Sequence, residues 1–242
     1  MSAFLEVTGV TKKFRGLTAV DDVSFALERG EIFAIIGPNG AGKTTLFNLL
    51  AGVYRPDSGA ISFEGRTIAG LAPEKICQAG IARTFQIVRP FPGLSVLENA
   101  QIGALLRRHD PHAAEQAAGE ILRRLDLWDK RGQPASSLTL PDRKRLEMAR
   151  ALATEPKLLL LDEVMAGLRP TETDRIVSIL KDLARESGLT VLLIEHVMRA
   201  VMALAQRILV LHHGAAIALG EPASVVRDPH VLECYLGADA LE

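Results

Sequence analysis

The sequence predicts an α/β protein: a parallel-sheet core, an antiparallel β block at its start, and an inserted helical block. Three observations carry this. From residue 155 onward, apolar strand-like runs alternate with helix-periodic segments, the pattern of a parallel sheet with helices on its faces. Residues 4–36 read instead as consecutive strands. Between about Pro90 and Thr154, apolar residues recur three and four positions apart, as on amphipathic helices. The expected organisation is one domain over residues 1–242, with a core of 1–89 and 155–242 and a helical subdomain at 90–154.

In order along the chain, "FLEVTGVTKKF" and "LTAVDDVSFAL" alternate as half-buried strands, and "EIFAIIG" is a continuous apolar run ending in glycine. Such a run suits a strand buried on both faces. A helix is expected from Lys43 to about Ala51, and "SGAISFEGRTI" reads as a short hairpin. The helical block comprises "SVLENAQIGALLRR", "AAEQAAGEILRRLDLW" and "DRKRLEMARALAT". Strand character returns with "KLLLLD", followed by a helix over 171–186, strand "TVLLIE", a helix over 197–205, and strands "RILVLH" and "AIALG".

Composition narrows the function classes. With 48% hydrophobic and 24% charged residues, the chain is an ordinary globular one. Its formal charge of −1 supplies no basic field, so nucleic acid is not expected as a partner. Cys77 and Cys234 match no metal-ligand spacing and read as reduced packing residues of a cytosolic protein. The N-terminus lacks the apolar run of a signal peptide. The most apolar stretch, "VMALAQRILVLHHGAAIALG", is interrupted by Arg207, His212, His213 and Gly214. A spanning helix needs about 20 nearly unbroken apolar residues, so this stretch reads as a helix end, a strand and a turn.

"GPNGAGKTT" (Gly37, Pro38, Asn39, Gly40, Ala41, Gly42, Lys43, Thr44 and Thr45) lies between the buried strand and a helix. That is the setting a phosphate-binding loop requires. Its glycines let backbone N–H groups face phosphate oxygens at a helix N-terminus. Lys43 is placed to reach the β- and γ-phosphates of a nucleotide, and Thr44 to help hold Mg²⁺. "KLLLLDE" is a second apolar strand, ending in Asp162 and Glu163, where ligands bind in parallel sheets. Asp162 is expected to hold the Mg²⁺ shell, and Glu163 to act as general base on water. "LLIEH" repeats the arrangement, with His196 just past the strand.

Together, the phosphate loop, "RTFQ", "RLEMARAL", "LLLLDE" and "IEH" resemble, in order and spacing, the nucleotide-binding subunits of ABC transporters. The resemblance spans nearly the whole chain. It implies a P-loop NTPase fold of the ABC type and ATP hydrolysis with ATP and Mg²⁺. It also implies roles for particular residues: Gln86 senses the γ-phosphate and Mg²⁺, His196 is the switch histidine, and Phe14 stacks on adenine. A Phe14 buried in the core at a strand end would look the same in sequence. The stretch "GIARTFQIVRPFPGLSVLENAQIG", with "DPHVLECYLG", is similar to the LivG-like ATPases of branched-chain amino-acid uptake. That similarity implies integral-membrane permease partners, a second ATPase subunit or a second copy of this chain, and, indirectly, a periplasmic substrate-binding protein. It also implies a peripheral position on the cytoplasmic face of the inner membrane. ABC-type ATPases acting on ribosomes or DNA are the alternative; they usually carry two cassettes or a long coiled-coil insertion, neither of which is seen in these 242 residues.

One segment departs from the family. Where an LSGGQ motif is expected to grip a partner's nucleotide, this chain has Leu138, Thr139, Leu140, Pro141 and Asp142. Thr139 keeps a hydroxyl for that contact, while Pro141 lacks an N–H. Thr139 with Asp142 three residues on predicts a capping box. Asp142 is also expected to bring its charge toward a triphosphate, where two charges 6 Å apart would repel by about 3 kcal/mol at an effective dielectric near 20. The following Arg143, Lys144 and Arg145 read either as a solvated face or as phosphate-facing cations. Val164 replaces the usual proline after Glu163, and Arg169 replaces an acid or asparagine expected near the partner subunit.

Overall fold

The computed structural model describes residues 3–85 and 90–236. Two sheets organise it. The first is antiparallel, with β1 (Leu5–Phe14), β2 (Leu17–Leu27), β4 (Ser58–Phe63) and β5 (Arg66–Thr67) in the order β2-β1-β4-β5. The pair β4–β5 is the hairpin read from "SGAISFEGRTI". The second sheet holds β3 (Ile32–Ile36), β6 (Ile81–Arg83), β7 (Leu158–Asp162), β8 (Thr190–Ile194), β9 (Arg207–His212) and β10 (Ala215–Gly220), ordered β10-β9-β3-β8-β7-β6. Its neighbours are parallel except for the β10–β9 pair.

Every residue of β3, β7 and β8 is buried, and the alternation of side chains explains why all are apolar or paired. Ala34, Ile36, Leu159, Leu161, Val191 and Leu193 belong to one apolar cluster, shared with the helices of the middle and C-terminal parts. Phe33, Ile35, Leu158, Leu160, Leu192 and Ile194 belong to another, shared with the antiparallel sheet and the helix after β3. With both faces covered, no position on these strands is left for a solvated polar residue.

The helices are α1 (Lys43–Leu50), α2 (Pro73–Ala79), α3 (Val96–Ala104), α4 (Pro111–Arg124), α5 (Leu140–Leu152), α6 (Pro170–Ser187), α7 (Met198–Leu204), α8 (Pro222–Val225) and α9 (Pro229–Leu236). α3 starts in a reciprocal capping box between Ser95 and Glu98 and ends earlier than its periodicity predicts, in a turn after Ala104. The short elements α2, β6, α8 and α9 carry too few periodic positions to be read from sequence. Among the described residues, no helix is long and apolar enough to cross a membrane.

Candidate nucleotide site

The sheet order brings the chemistry together. β3, β8 and β7 are adjacent and parallel, so their C-terminal ends open on one edge. The phosphate loop leaves β3 there, Asp162 and Glu163 end β7, and Glu195 and His196 follow β8.

Glycine is required in the loop by conformation and by space. Gly37 has φ 149°, and a Cβ there would collide with the Leu211 carbonyl. Gly42 has φ 100° and caps α1, and a Cβ would strike the Ala19 carbonyl. Between them, the N–H of Ala41 donates to the carbonyl of Pro38 at 3.2 Å. Asn39 and Gly40 are exposed, Ala41 is buried, Thr44 is exposed and Thr45 is half-buried. Lys43 folds back over the loop, its Nζ donating to the carbonyls of Gly37 (2.7 Å) and Pro38 (3.0 Å). Burial lowers the pKa of its ammonium from the ordinary value, while the nearby charges of Glu163 and Asp162 act in the opposite direction.

Asp162 is 1% exposed. Its Oδ2 accepts from Arg83 Nη2 at 2.8 Å, and its backbone N–H donates to Thr84 Oγ1 at 3.1 Å. Its Oδ1 is buried with no hydrogen-bond partner among the described residues. Glu163 is half-buried and takes the left-handed conformation at φ 49°, which costs a non-glycine residue about 1–3 kcal/mol. His196 is exposed just beyond β8. Phe14 lies 37% exposed at the end of β1, its ring 5.2 Å from that of Tyr54; the buried-core alternative does not hold. Gln86 lies outside the described residues.

The α5 start differs from expectation. Thr139 is the N-cap, but its side chain makes no capping bond; its Oγ1 donates instead to Asp142 Oδ2 at 2.7 Å. Asp142 does not reach outward. Its side chain is buried against Lys130 and Arg145, with Arg145 Nη2 at 2.6 Å. Charged contacts to Lys130 and Arg145, with the Thr139 hydroxyl, occupy the carboxylate, and no capping box forms. The run after it is neither solvated nor directed at phosphate as a group: Arg143 Nε donates to the Leu138 carbonyl, Lys144 Nζ to the Glu163 carbonyl, and Arg145 joins Asp142. Arg169 caps α6 and is exposed; its backbone N–H and guanidinium donate to the Glu172 carboxylate on its own helix. Val164 is buried.

Sequence reasoning missed three residues. Arg83, half-buried at the end of β6, stands three positions before Gln86 in "RTFQ", where the motif gives it no role of its own. Glu195 stands beside His196 and is 1% exposed. Lys144 was visible only as one of three charges.

A parallel strand, a glycine loop closed by a buried lysine, and an acid pair at the end of a parallel strand one removed in the same sheet define a nucleotide-binding P-loop protein. The profile described as "ABC transporter" matches residues 20–166, and the chain belongs to the ABC transporter family as a nucleotide-binding ATPase. A second profile, described as "Branched-chain amino acid ATP-binding cassette transporter", matches residues 217–240.

The chain is 39% identical to the high-affinity branched-chain amino acid transport ATP-binding protein BraF of Pseudomonas aeruginosa, covering 96% of this chain and 97% of that one. Identity and coverage are the same for LivG of Escherichia coli K12, which carries the same description. It is also 37% identical, over 98% of both chains, to the lipopolysaccharide export system ATP-binding protein LptB of Escherichia coli K12. In structure it is similar to the ADP conformation of MJ1267, an ATP-binding cassette of an ABC transporter, with a TM-score of 0.89, 32% identity, and coverage of 98% of this chain and 100% of that one.

Proposed function

We propose that the chain powers an uptake system for branched-chain or other amino acids, seated beneath permease subunits on the cytoplasmic face of the inner membrane. The observation that carries the enzymatic half is the convergence of Lys43, Asp162 and Glu163 at the C-terminal ends of the adjacent parallel strands β3, β8 and β7, where both carboxylates act on the Lys43 charge. A cation for phosphate, an acid for metal and an acid for water thus share one edge of the sheet. The printed functions of the relatives and the C-terminal profile support the cargo class.

Phe14 offers its exposed ring to adenine, and the amides of the 37–45 loop, with Lys43, Thr44 and Thr45, hold the phosphates. Mg²⁺ fits the residues present, because Asp162 Oδ1, without a hydrogen-bond partner among the described residues, is a buried carboxylate oxygen of the kind that ion takes. Thr44, Gln86 and Asp162 would form its protein side. When bound, Mg²⁺ neutralises charge on the transferring phosphate. Glu163 accepts a proton from the attacking water, and His196 and Gln86 orient the γ-phosphate. Residues 90–154 act as a helical arm that carries Thr139 toward a partner's nucleotide.

A permease segment is assigned to the apolar cavity of about 400 Å³ lined by Ile76, Phe85, Ile102, Leu106, Glu147 and Arg150. The stretch from about Gln86 to Asn99 is assigned to the same contact; Phe91 within it and Phe85 just before it are exposed. The altered segment 138–142 favours pairing with a different ATPase subunit, so that one of the two nucleotide sites keeps an unaltered signature.

Affinity recovery of Glu163→Gln protein from its native membranes with ATP tests the assembly. A second ATPase with two permeases supports the asymmetric importer. Permeases with this chain alone mean a homodimer, and ribosomal or DNA-bound proteins sink the transport role. Uptake of labelled leucine by cells lacking the gene, with and without the restored chain, tests the cargo; unchanged uptake would redirect it toward another substrate, such as the lipid cargo named for LptB.

A further inference from the structure

The turn that carries Glu163 is gripped by two elements. Lys144 of α5 is 5% exposed, and its Nζ donates to the main-chain carbonyl of Glu163 at 2.8 Å. Glu195, just past the end of β8, accepts the N–H of Met165 through Oε1 at 2.8 Å. The N–H of Glu163 donates to the Ile194 carbonyl at 3.0 Å, and that of Ala166 to the Glu163 carbonyl at 3.2 Å. Residues 163–166 are thus fastened to two elements that lie far from them in sequence.

The fastening answers a need of the turn. A non-glycine residue held at φ 49° persists there only when its surroundings over-determine it. It also accounts for a cation inside the fold. Burial works against the Lys144 charge, and the carboxylates of Glu195, Glu163 and Asp162 surround it with opposite charge. Neither a solvated face nor a phosphate contact explains a lysine aimed at a backbone carbonyl of its own subunit.

We infer that Lys144 and Glu195 are positioning residues that hold the Glu163–Met165 turn through its backbone, so that helix α5 sets the placement of the general base in its own subunit. This rests on Glu163 being that base. The consequence concerns coupling. The helix whose first residues are assigned to a partner's nucleotide also holds the hydrolytic carboxylate of its own site. A shift of α5 on subunit pairing therefore changes both sites.

Two measurements test this separately from the role of Glu163. The first is amide hydrogen exchange on the full chain. Lys144→Met should speed exchange across 163–166 about tenfold, with the rest of α5 and β7 unchanged and Lys144→Arg restoring protection. The second is ATP turnover of the complex recovered from membranes. There Lys144→Met should lower kcat about 10- to 100-fold with the KM for ATP within about twofold, and Lys144→Arg should recover most of it.

Glu195→Gln keeps an oxygen for the Met165 amide and should protect the turn as the wild type does, whereas Glu195→Leu should not. This second pair decides the matter if Lys144→Met does not fold. Unchanged exchange at 163–166 in Lys144→Met, or equal damage from Glu195→Gln and Glu195→Leu, overturns the positioning. Turnover surviving in Glu163→Gln overturns the role of the base and leaves the exchange result to stand by itself.

Discussion

Arg83 Nη2 lies 2.8 Å from Asp162 Oδ2 in an ion pair whose side chains are 10% and 2% exposed, and Arg83 Nη1 donates to Asn48 Oδ1 at 2.6 Å. One guanidinium thereby ties β6 to β7 and to α1, which begins at the phosphate loop. It also fixes which carboxylate oxygen of Asp162 remains available. Arg83 lines the apolar cavity assigned to the permease, so it links that surface to Asp162, the acid proposed to hold Mg²⁺. Arg83→Met should destabilise the protein by about 3–5 kcal/mol, because it strands a buried carboxylate. Thermal unfolding should show a fall of roughly 6–20 °C. A Tm within a degree of wild type would mean that the pair contributes nothing.

Asp142 gives a pH-dependent prediction. Burial acts to raise its pKa, yet the hydrogen bonds from Lys130 and Thr139 and the charges of Arg145 and Lys130 outweigh it and leave the value below the ordinary 3.8. A carboxyl depressed in the folded state stabilises above its unfolded pKa, and that contribution is lost as pH falls through the folded value. Asp142→Asn should therefore cost about 2 kcal/mol near neutrality, with the gap to wild type closing below about pH 4. Denaturant melts across pH measure it. Because Asp142 faces inward, ATP affinity should change less than about twofold; a large gain in affinity would return its charge to the nucleotide.

Glu147 has the opposite sign. Burial raises its carboxyl above the ordinary 4.5, against the pull of Arg150. The unfolded chain loses this proton first, so the stability of the wild type falls as pH rises from 4.5 toward the raised folded value. Glu147→Gln removes that slope and should gain stability relative to wild type across the same interval. Urea denaturation at a series of pH values reads the difference, and parallel curves would contradict it.

Phe14 is accessible and makes its ring contact with Tyr54 at the surface. Phe14→Ala should weaken ATP and ADP equally, by about 1–2 kcal/mol if the ring stacks on the base, while Tm moves little. Titration with a fluorescent nucleotide checks this. Unequal losses for the two nucleotides would argue for a phosphate effect and against stacking.

The sequence by itself determined the parts of this protein whose chemistry is contiguous. Nine residues from Gly37 to Thr45 carry their own backbone requirements in their glycines, and a fully apolar strand before them dictates burial on both faces. The same logic made Asp162, Glu163 and His196 legible, because each follows a short run that can only be a central strand. The hairpin at 58–68 and the long helices followed from period alone.

Only tertiary structure decided where the charges go. Arg83 meets Asp162 across 79 positions and Lys144 meets Glu163 across 19, distances over which local pattern carries no information. Asp142 and Thr139 show the limit most clearly. Their spacing permits a capping box, but Arg145, three residues on along α5, and Lys130, from the turn that precedes the helix, take the carboxylate. A cap is a local bond of modest strength; two charged contacts on a buried carboxylate outweigh it. Of these, the one from Lys130, 12 positions away, exists only because the chain packs that turn against the start of α5.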